Sequence, residues 1–415
     1  MNNNIFSRGT EQIYPNRENL EKALNNSLKQ KKDFVVYLGI DPTGPDLHLG
    51  HAIAVRKLAE FQKIGCKTIL LIGDFTAMIG DPSGKHSTRK QLSKQQVEKN
   101  QKNYYQQIKK IINLDGLNKT KIVFNSEWFG KFNLQKTLEL ASNFTAQQMI
   151  ERDMFQERIK AGKPIFLHEF FYPLLQAYDS IEINADLEIG GSDQIFNMMM
   201  GRDLAKILKN KEKFVLSIKL LVDSNGKKMG KTENNMVKLS DNPKEMFGKI
   251  MAFTDGLIIP GFELLTDVPL EDVDKMKFEM PEKLNPRDAK AKLAKEIIKI
   301  FYSEKEANQA EESFNNIFRD KNLPIEMPEK IINKPQITLL DLVSNSGFVQ
   351  SRSEARRLIL DNAIKIGNEK KCDPFEIIDI TKSAVSKNRN TNSRRSFSLV
   401  LRKGSKNFIK IIYND

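Results

Sequence analysis

Apolar and polar positions alternate along the first half of the chain in a way that predicts strands and helices in turn. Short β-branched runs alternate with longer amphipathic segments, the runs at 34–40, 68–74 and 121–125 and the segments at 52–65 and around 92–113. Strand, helix and strand at this spacing is typical of βαβ units and predicts a parallel sheet with right-handed crossovers. We therefore expect an α/β domain of the kind that binds nucleotides.

The pattern becomes helical in the second half of the chain, with helices predicted at 242–253, 286–303 and 304–318. The predicted division is an α/β domain with a connective insertion at 1–222, a basic loop and helical subdomain at 223–321, a linker at 322–336 and a small α+β domain at 337–415. The linker is predicted from three prolines without a regular period. Within the last domain, 381–396 is polar and basic, so we expect a mobile loop there.

Composition and charge narrow the class of protein. The 415 residues are 40% hydrophobic and 29% charged, which is typical of a globular chain. The net charge is +13, of which residues 336–415 carry +7, and this basic tail suggests a polyanionic partner. Two distant cysteines, Cys66 and Cys372, exclude a disulfide framework and a cysteine-based zinc cluster. With no run of about 18 apolar residues and no signal core at the start, we expect a cytoplasmic protein without a membrane partner.

A turn rich in proline and glycine, at 42–45, leads from the first predicted strand into a helix that begins near His48 and His51. The backbone N–H groups and the positive dipole end of such a helix suit a phosphate. Gly50 removes a side chain, so a planar ligand could approach the backbone there. The alternative is that the two histidines merely cap the helix.

Three further segments carry polar residues in a similar setting. A glycine- and proline-rich loop after the second strand contains Asp81, Lys85 and Arg89. Farther along, Tyr172, Gln176 and Asp179 are spaced to share one stripe of a helix, where interhelical hydrogen bonding is the alternative. The paired glycines at 190–191 close a strand ahead of Asp193, which could accept from a ribose hydroxyl.

A fifth segment, the glycine-bounded basic loop at 226–232, contains Lys228, Lys231 and Thr232. Its lysines could reach a phosphate, although such a string is also typical of a solvated surface turn.

Taken in order, these five segments closely resemble those of the bacterial-type tyrosyl-tRNA synthetases, a family of class I aminoacyl-tRNA synthetases. HLGH at 48–51 is similar to the HIGH signature, and KMGKT at 228–232 is similar to the KMSKS loop, from which Gly230 and Thr232 depart. The resemblance implies a Rossmann-like parallel-sheet catalytic domain of the HIGH superfamily, a helical anticodon-side subdomain and a C-terminal S4 RNA-binding domain. It also implies that L-tyrosine is activated with ATP and Mg²⁺ to tyrosyl-adenylate and pyrophosphate. Transfer of tyrosine to the 3′-terminal adenosine of tRNA(Tyr) would follow, in a homodimer without a structural metal.

The resemblance further implies a role for each site residue. Tyr37 and Asp179 would bind the phenolic hydroxyl of tyrosine, Gln194 would orient its carboxylate, and its α-ammonium group would be held by Asp81, Tyr172 and Gln176. On the nucleotide side, Thr43 and His48 would contact the γ-phosphate and His51 the ribose side, while the adenylate would lie against Gly39, Asp41, Gly50, Gly191 and Asp193. The departing pyrophosphate would be bound by Lys85, Arg89, Lys228, Lys231 and Thr232.

The predicted C-terminal domain contains a helix with a basic face. Ser351 and Glu354 form a capping-box pattern at its start, and Arg352 and Arg356 share one face. This helix and the strand after it resemble the S4 fold, which implies RNA binding by Arg352, Arg356, Arg357 and Lys365. A plain solvated basic helix is the alternative.

Two other functions fit part of this pattern. A tryptophanyl enzyme or a nucleotidyltransferase would share the fold, but Tyr37 and Asp179 suit a phenol. A non-catalytic RNA-binding protein would not need the complete ATP site that the five segments predict.

Overall fold

The computed structural model describes residues 3–83, 91–222, 236–280, 284–318, 327–367, 369–382, 386–389, 395–404 and 407–414. The chain divides into two compact units, 1–311 and 312–415.

The described part of the first unit contains six strands, β1 (Thr10–Tyr14), β2 (Val35–Ile40), β3 (Lys67–Ile72), β4 (Lys121–Phe124), β5 (Leu187–Gly191) and β6 (Phe214–Ile218). Its helices before β5 are α1 (Arg17–Lys29), α2 (Leu49–Lys63), α3 (Thr76–Ile79), α4 (Lys94–Gln101), α5 (Tyr104–Ile108), α6 (Ser126–Phe129), α7 (Leu134–Ala141), α8 (Ala146–Ile150), α9 (Asp153–Lys160) and α10 (Leu167–Ile183). The later helices are α11 (Ile195–Lys209), α12 (Pro243–Met251), α13 (Ile258–Leu265), α14 (Leu270–Glu279), α15 (Pro286–Phe301) and α16 (Glu304–Phe318), which extends past residue 311.

The six strands form one sheet in the order β1-β6-β5-β2-β3-β4. All neighbours are parallel except β1, which pairs antiparallel with β6. The central strands β2 and β3 consist mostly of apolar residues, because helices cover the sheet, as is usual for parallel sheets. The predicted parallel sheet is thus confirmed. Chain order reverses between β5 and β2, and ligands of open α/β sheets bind at such a switch point.

The helices follow the predicted pattern with two differences. The first predicted helix begins at Leu49 rather than at 52, because His48 caps it. The single amphipathic segment expected around 92–113 is two short helices, α4 and α5. The predicted helices at 242–253, 286–303 and 304–318 are confirmed as α12, α15 and α16, and an asparagine followed by proline starts both α12 and α15.

Among its described residues, the second unit contains two helices and eight strands besides the end of α16. They are β7 (Glu329–Ile331), β8 (Gln336–Thr338), α17 (Leu339–Asn345), α18 (Arg352–Leu360), β9 (Ile364–Ile366), β10 (Glu369–Lys371), β11 (Ile377–Asp379), β12 (Ser386–Arg389), β13 (Arg395–Lys403) and β14 (Asn407–Asn414). One sheet has the order β10-β9-β13-β14-β7 with β12 beside β13, and β8 pairs with β11. Two helices beside mostly antiparallel strands make this an α+β unit. It has a core of its own, which includes Leu342, Ile359 and Leu401.

Two predictions for this part of the chain need correction. Residues 329–331, assigned to a linker, form β7 and pair in parallel with β14. Prolines 328 and 335 flank this short edge strand rather than interrupt it, which is compatible with strand pairing. The segment 381–396, expected to be a mobile loop, contains β12, and its last two residues begin β13. Backbone pairing of β12 with β13 holds these polar residues without requiring them to enter a core.

Candidate active site

A cavity of about 720 Å³ lies at the carboxyl ends of the central strands of the first unit. Within the described parts of the chain, it is lined by every residue predicted for amino-acid or ATP binding, namely Tyr37, Gly39, Asp41, Thr43, His48, Gly50, His51, Asp81, Tyr172, Gln176, Asp179, Gly191, Asp193 and Gln194. The predictions for Lys85, Arg89, Lys228, Lys231 and Thr232 lie outside the described residues. The structure thus brings the predicted amino-acid and nucleotide residues into one site.

The histidine turn, which is the segment 42–51 with His48 and His51, forms one wall of this cavity. The Nδ1 atom of His48 accepts a hydrogen bond from the Gly50 N–H (3.1 Å), and the Nδ1 atom of His51 accepts one from the His48 N–H (3.2 Å). The histidines therefore do cap α2. Because Nδ1 is an acceptor in each neutral ring, Nε2 carries the proton and is the donor nitrogen, so capping fixes the tautomer suited to a phosphate. A Cβ atom at Gly50 would come within 2.9 Å of the His48 ring, which explains the glycine.

Tyr37 and Asp179 lie buried at the cavity floor. The Tyr37 hydroxyl lies 3.2 Å from Ser180 Oγ, and burial raises the pKa of this phenol well above its usual value. The Asp179 carboxylate is only 2% exposed and accepts hydrogen bonds from Trp128 Nε1 (2.9 Å) and Asn125 Nδ2 (3.3 Å). Burial raises the pKa of Asp179 well above its usual value, although these two hydrogen bonds oppose the shift.

Asp41 is held between two elements of the unit. The hydroxyl of Tyr172, on α10, donates to its Oδ2 (2.9 Å), and the hydroxyl of Thr76, on α3, donates to its Oδ1 (2.8 Å). A Cβ atom at Gly73 would clash with Asp41 Oδ1, so a side chain there would displace the carboxylate. The stripe predicted on α10 thus faces the cavity, and its Tyr172 also holds the carboxylate that directly follows β2.

A set of buried polar residues that sequence reasoning missed lies behind the amino-acid side of the cavity. Asn197 contacts both Gln176 and Gln194, and Lys213 pairs with Glu188. Burial lowers the pKa of the Lys213 ammonium. An acid within the buried strand β5 was the one available signal, whereas Asn197 and Lys213 belong to no motif.

Arg152 is a third residue that the sequence did not indicate. It is 7% exposed, its NH2 group donates to Ser83 Oγ (2.7 Å), and its guanidinium lies 4.6 Å from the centre of the Phe196 ring. Burial lowers the pKa of Arg152, and nearby Asp81 opposes that shift. Arg152 therefore brings a buried positive charge close to the predicted ammonium-binding carboxylate.

The described residues on either side of the basic segment 223–235 are anchored at the cavity. Residues 218–221 line it. After the segment, the Leu49 N–H donates to Val237 O (3.1 Å) and the Leu239 N–H donates to Leu47 O (2.9 Å). The Lys238 ammonium donates to Asp46 Oδ2 (2.7 Å). The residues before the basic segment therefore lie at the cavity, and those after it are bonded to the histidine turn.

The second unit presents basic groups on a helix and a sheet. Ser351 caps α18, but Glu354 accepts from the Gln350 N–H instead of completing the predicted capping box. Arg352 pairs with Asp341 (2.9 Å), the Arg356 guanidinium lies 5.9 Å from the centre of the Phe375 ring, and Arg357 is exposed.

On the sheet of this unit, Lys365 lies opposite Lys370 on one neighbouring strand and opposite Arg402 on the other. Like charges placed directly opposite each other are destabilising, so this row favours a polyanion.

The described residues offer neither a cluster of metal ligands nor a membrane-spanning helix. Among the described residues, no group of three or more histidine, cysteine, aspartate or glutamate side chains could hold a metal ion. Across the same residues, no helix is both long and apolar enough to span a membrane.

Comparison with known proteins gives consistent results. The profile of the family described as "tRNA synthetases class I (W and Y)" matches residues 29–319. The tyrosine–tRNA ligase of Carboxydothermus hydrogenoformans is 43% identical over 416 residues, which cover 99% of this chain and 97% of that protein. Tyrosine–tRNA ligase 2 of Vibrio cholerae is 45% identical over 88% of this chain and 90% of that protein.

Solved structures agree on the fold. The C-terminally truncated mitochondrial tyrosyl-tRNA synthetase of Aspergillus nidulans gives a TM-score of 0.62 at 21% identity, over 76% of this chain and 93% of that one. The tyrosyl-tRNA synthetase of Archaeoglobus fulgidus, complexed with L-tyrosine, gives 0.56 at 20% identity, over 74% and 98%.

Proposed function

This chain belongs to the class I tRNA synthetase family that contains the tryptophan and tyrosine enzymes, and we propose that it acts as a tyrosine–tRNA ligase. It activates L-tyrosine with ATP and transfers the tyrosyl group to the terminal adenosine of tRNA(Tyr). Within the structure, the observation that carries the proposal is the buried pair Tyr37 and Asp179 at the cavity floor. A phenol and a carboxylate at that depth suit a substrate hydroxyl.

In the first step, a carboxylate oxygen of tyrosine attacks the α-phosphorus of ATP. The bond between that phosphorus and the bridging oxygen to the β-phosphorus breaks, and pyrophosphate leaves. Charge accumulates on the phosphates, so catalysis depends on positioning and on electrostatic stabilisation. The Nε2–H groups of His48 and His51 and the first turn of α2 supply donors here, with Thr43 beside them.

The floor of the cavity supplies selectivity for tyrosine. The substrate hydroxyl donates to Asp179, whose other partners, Trp128 and Asn125, already hold the carboxylate in place. Phenylalanine would leave that buried carboxylate short of a donor. A site built to hydrogen-bond a substrate hydroxyl, for which this enzyme family is a standard example, rejects the analogue that lacks it.

Mg²⁺ would bind together with ATP, because it neutralises polyphosphate charge and keeps much of its own hydration. The second unit is the tRNA-binding part, with Arg352, Arg356, Arg357 and Lys365 on its basic faces. The row formed by Lys365, Lys370 and Arg402 supports this assignment. The bacterial relatives support a cytoplasmic location.

A homodimer completes the proposal. Large apolar side chains are exposed on the helices of 134–171, including Leu134 (74%), Leu138 (61%) and Leu167 (77%). Exposed apolar surface of this kind marks interaction sites, and a second copy of the chain would cover it.

Amino-acid-dependent ATP–pyrophosphate exchange tests the function. Exchange is expected with tyrosine and not with phenylalanine or tryptophan. The variants Asp179→Asn and His48→Ala should each lose about 10²-fold or more in kcat/KM for tyrosine. Asp274→Asn, an exposed carboxylate on α14, is the matched control and should behave like the wild type. Failure of all three amino acids to support exchange in folded protein would contradict the proposal.

A further inference from the structure

A continuous chain of side-chain hydrogen bonds runs behind the amino-acid side of the cavity. The Lys213 ammonium donates to Glu188 Oε2, and Glu188 Oε1 accepts from Gln176 Nε2 (3.0 Å). At the other end, Asp81 Oδ2 accepts from Gln194 Nε2 (2.7 Å). Between the two glutamines lies Asn197, whose Nδ2 donates to Gln176 Oε1 (3.0 Å) and Gln194 Oε1 (3.1 Å).

The two carboxylates, Glu188 and Asp81, fix the direction of every amide that lies between them. A carboxylate only accepts, so each glutamine must turn its NH₂ group toward its acid and its oxygen toward Asn197. Asn197 must then present its NH₂ group to both oxygens. Rotating its amide by half a turn would place its oxygen against two other oxygens. Asn197 is 0% exposed, so water cannot replace these bonds easily.

Each glutamine amide can still form a hydrogen bond to the substrate after these bonds are made. An amide oxygen has two lone pairs and an NH₂ group has two hydrogens. Gln176 Oε1 therefore has a lone pair to offer an ammonium group, and Gln194 Nε2 has a hydrogen to offer a carboxylate. Both glutamines line the cavity, whereas Asn197 does not.

We propose that Asn197 is a positioning residue for amino-acid binding, which holds Gln176 and Gln194 in the one amide orientation that suits the α-ammonium and α-carboxylate groups of the substrate. Asn197 does not touch the substrate and acts through the two glutamines. The inference rests on the proposed function and adds to it a residue to which no role had been given.

The test is tyrosine-dependent pyrophosphate exchange by the full chain with Asn197→Asp. This isosteric change puts an acceptor against both glutamine oxygens while the carboxylates resist their rotation. The KM for tyrosine should rise about ten- to hundredfold, the effect of unpaired buried polar groups, while the KM for ATP stays within about twofold. Asn197→Ala removes the donor without adding repulsion and should raise the KM for tyrosine less.

Gln62→Glu is the matched control for folding. Gln62 is also a buried amide, and its Nε2 group donates to Asn113 O, Asn118 O and Thr120 Oγ1, away from the cavity. Its acid variant should unfold at a lower temperature yet keep the wild-type KM for tyrosine. Loss of folded protein lowers the active fraction and not KM, so KM separates positioning from stability.

A Gln176→Ala background gives a second, independent reading. In this background, Asn197→Asp should raise the KM for tyrosine by clearly less than it does in the wild type. Its effect through Gln176 is already lost, and only its effect through Gln194 remains. Three results would each overturn the inference. The KM of Asn197→Asp for tyrosine could equal that of the wild type, or its KM for ATP could rise as much as its KM for tyrosine. The effects of Asn197→Asp and Gln176→Ala on the KM for tyrosine could also be fully additive. If the wild type catalyses no tyrosine-dependent exchange, the proposed function itself fails.

Discussion

Asp179 shows how a single residue can be kept for binding at the expense of stability. Its carboxylate is buried, and burial raises its pKa well above the ordinary value of 3.8. Between its unfolded and folded pKa values, the folded protein therefore binds more protons than the unfolded chain, and the stability contribution of Asp179 falls as the pH rises. A substrate hydroxyl would supply the missing donor.

We predict that the stability of Asp179→Asn increases relative to that of the wild type as the pH rises. The asparagine does not titrate, so the difference in unfolding temperature, variant minus wild type, should be larger at pH 8 than at pH 5. Differential scanning calorimetry across this range measures it, with Asp274→Asn as the control. A difference that is independent of pH would contradict the raised pKa.

At the scale of elements, a buried ion pair joins α9 to the start of α10. Arg158 donates to both carboxylate oxygens of Glu169 (2.8 and 2.9 Å), and Glu169 also accepts from the Phe166 N–H (2.9 Å). Both side chains are buried. The pair therefore fixes the first turn of the helix that carries Tyr172, Gln176 and Asp179.

We predict that Glu169→Ala lowers the free energy of unfolding by about 3–5 kcal/mol, because it removes the carboxylate that faces the buried Arg158 guanidinium. Urea denaturation of the full chain measures this. Glu21→Ala, which breaks the exposed pair of Arg17 and Glu21 on α1, should cost less than about 1 kcal/mol. Equal losses for the two variants would mean that Glu169 is not part of a buried pair.

At the scale of the whole molecule, the two units divide the work of the proposed reaction. The cavity and every described residue predicted for the activation step belong to the first unit. The basic faces predicted to bind RNA belong to the second, which has its own core.

A chain that ends at residue 326 should therefore keep tyrosine-dependent pyrophosphate exchange. Its aminoacylation of tRNA(Tyr) should fall at least about tenfold, because the basic faces proposed to contact tRNA phosphates are lost. Steady-state assays of both reactions measure this. Equal loss of both reactions would show that the first unit depends on the second.

The proposed dimer is also a property of the whole molecule. Leu138→Glu and Leu167→Glu should shift the chain from dimer to monomer in sedimentation velocity, since each places a charge in the covered apolar surface. Phe278→Glu, at an exposed apolar residue on α14, should remain dimeric. A monomeric wild type would refute the homodimer.

The sequence predicted the parts of the site that depend on local chemistry. A glycine- and proline-rich turn that runs into a helix, or three polar residues on one helical stripe, has the same geometry in most surroundings. Asn197, Lys213 and Arg152 could not be predicted, because their partners lie on other elements and each is a single residue without a motif. Strand β12 was missed for the same reason, since its pairing depends on β13.

The pairing of distant segments has a consequence for synthesis. Strand β1 has its partner about 200 residues later, with Thr10 opposite Ile218, and the histidine turn is tied by Leu47 and Leu49 to residues 237–239. A ribosome that adds about 5–20 residues per second needs roughly 10–40 s to span that gap. During this time the nascent chain carries an unpaired edge strand, which is prone to association. The histidine turn can be completed only after residue 239 has emerged, so the site forms late in translation.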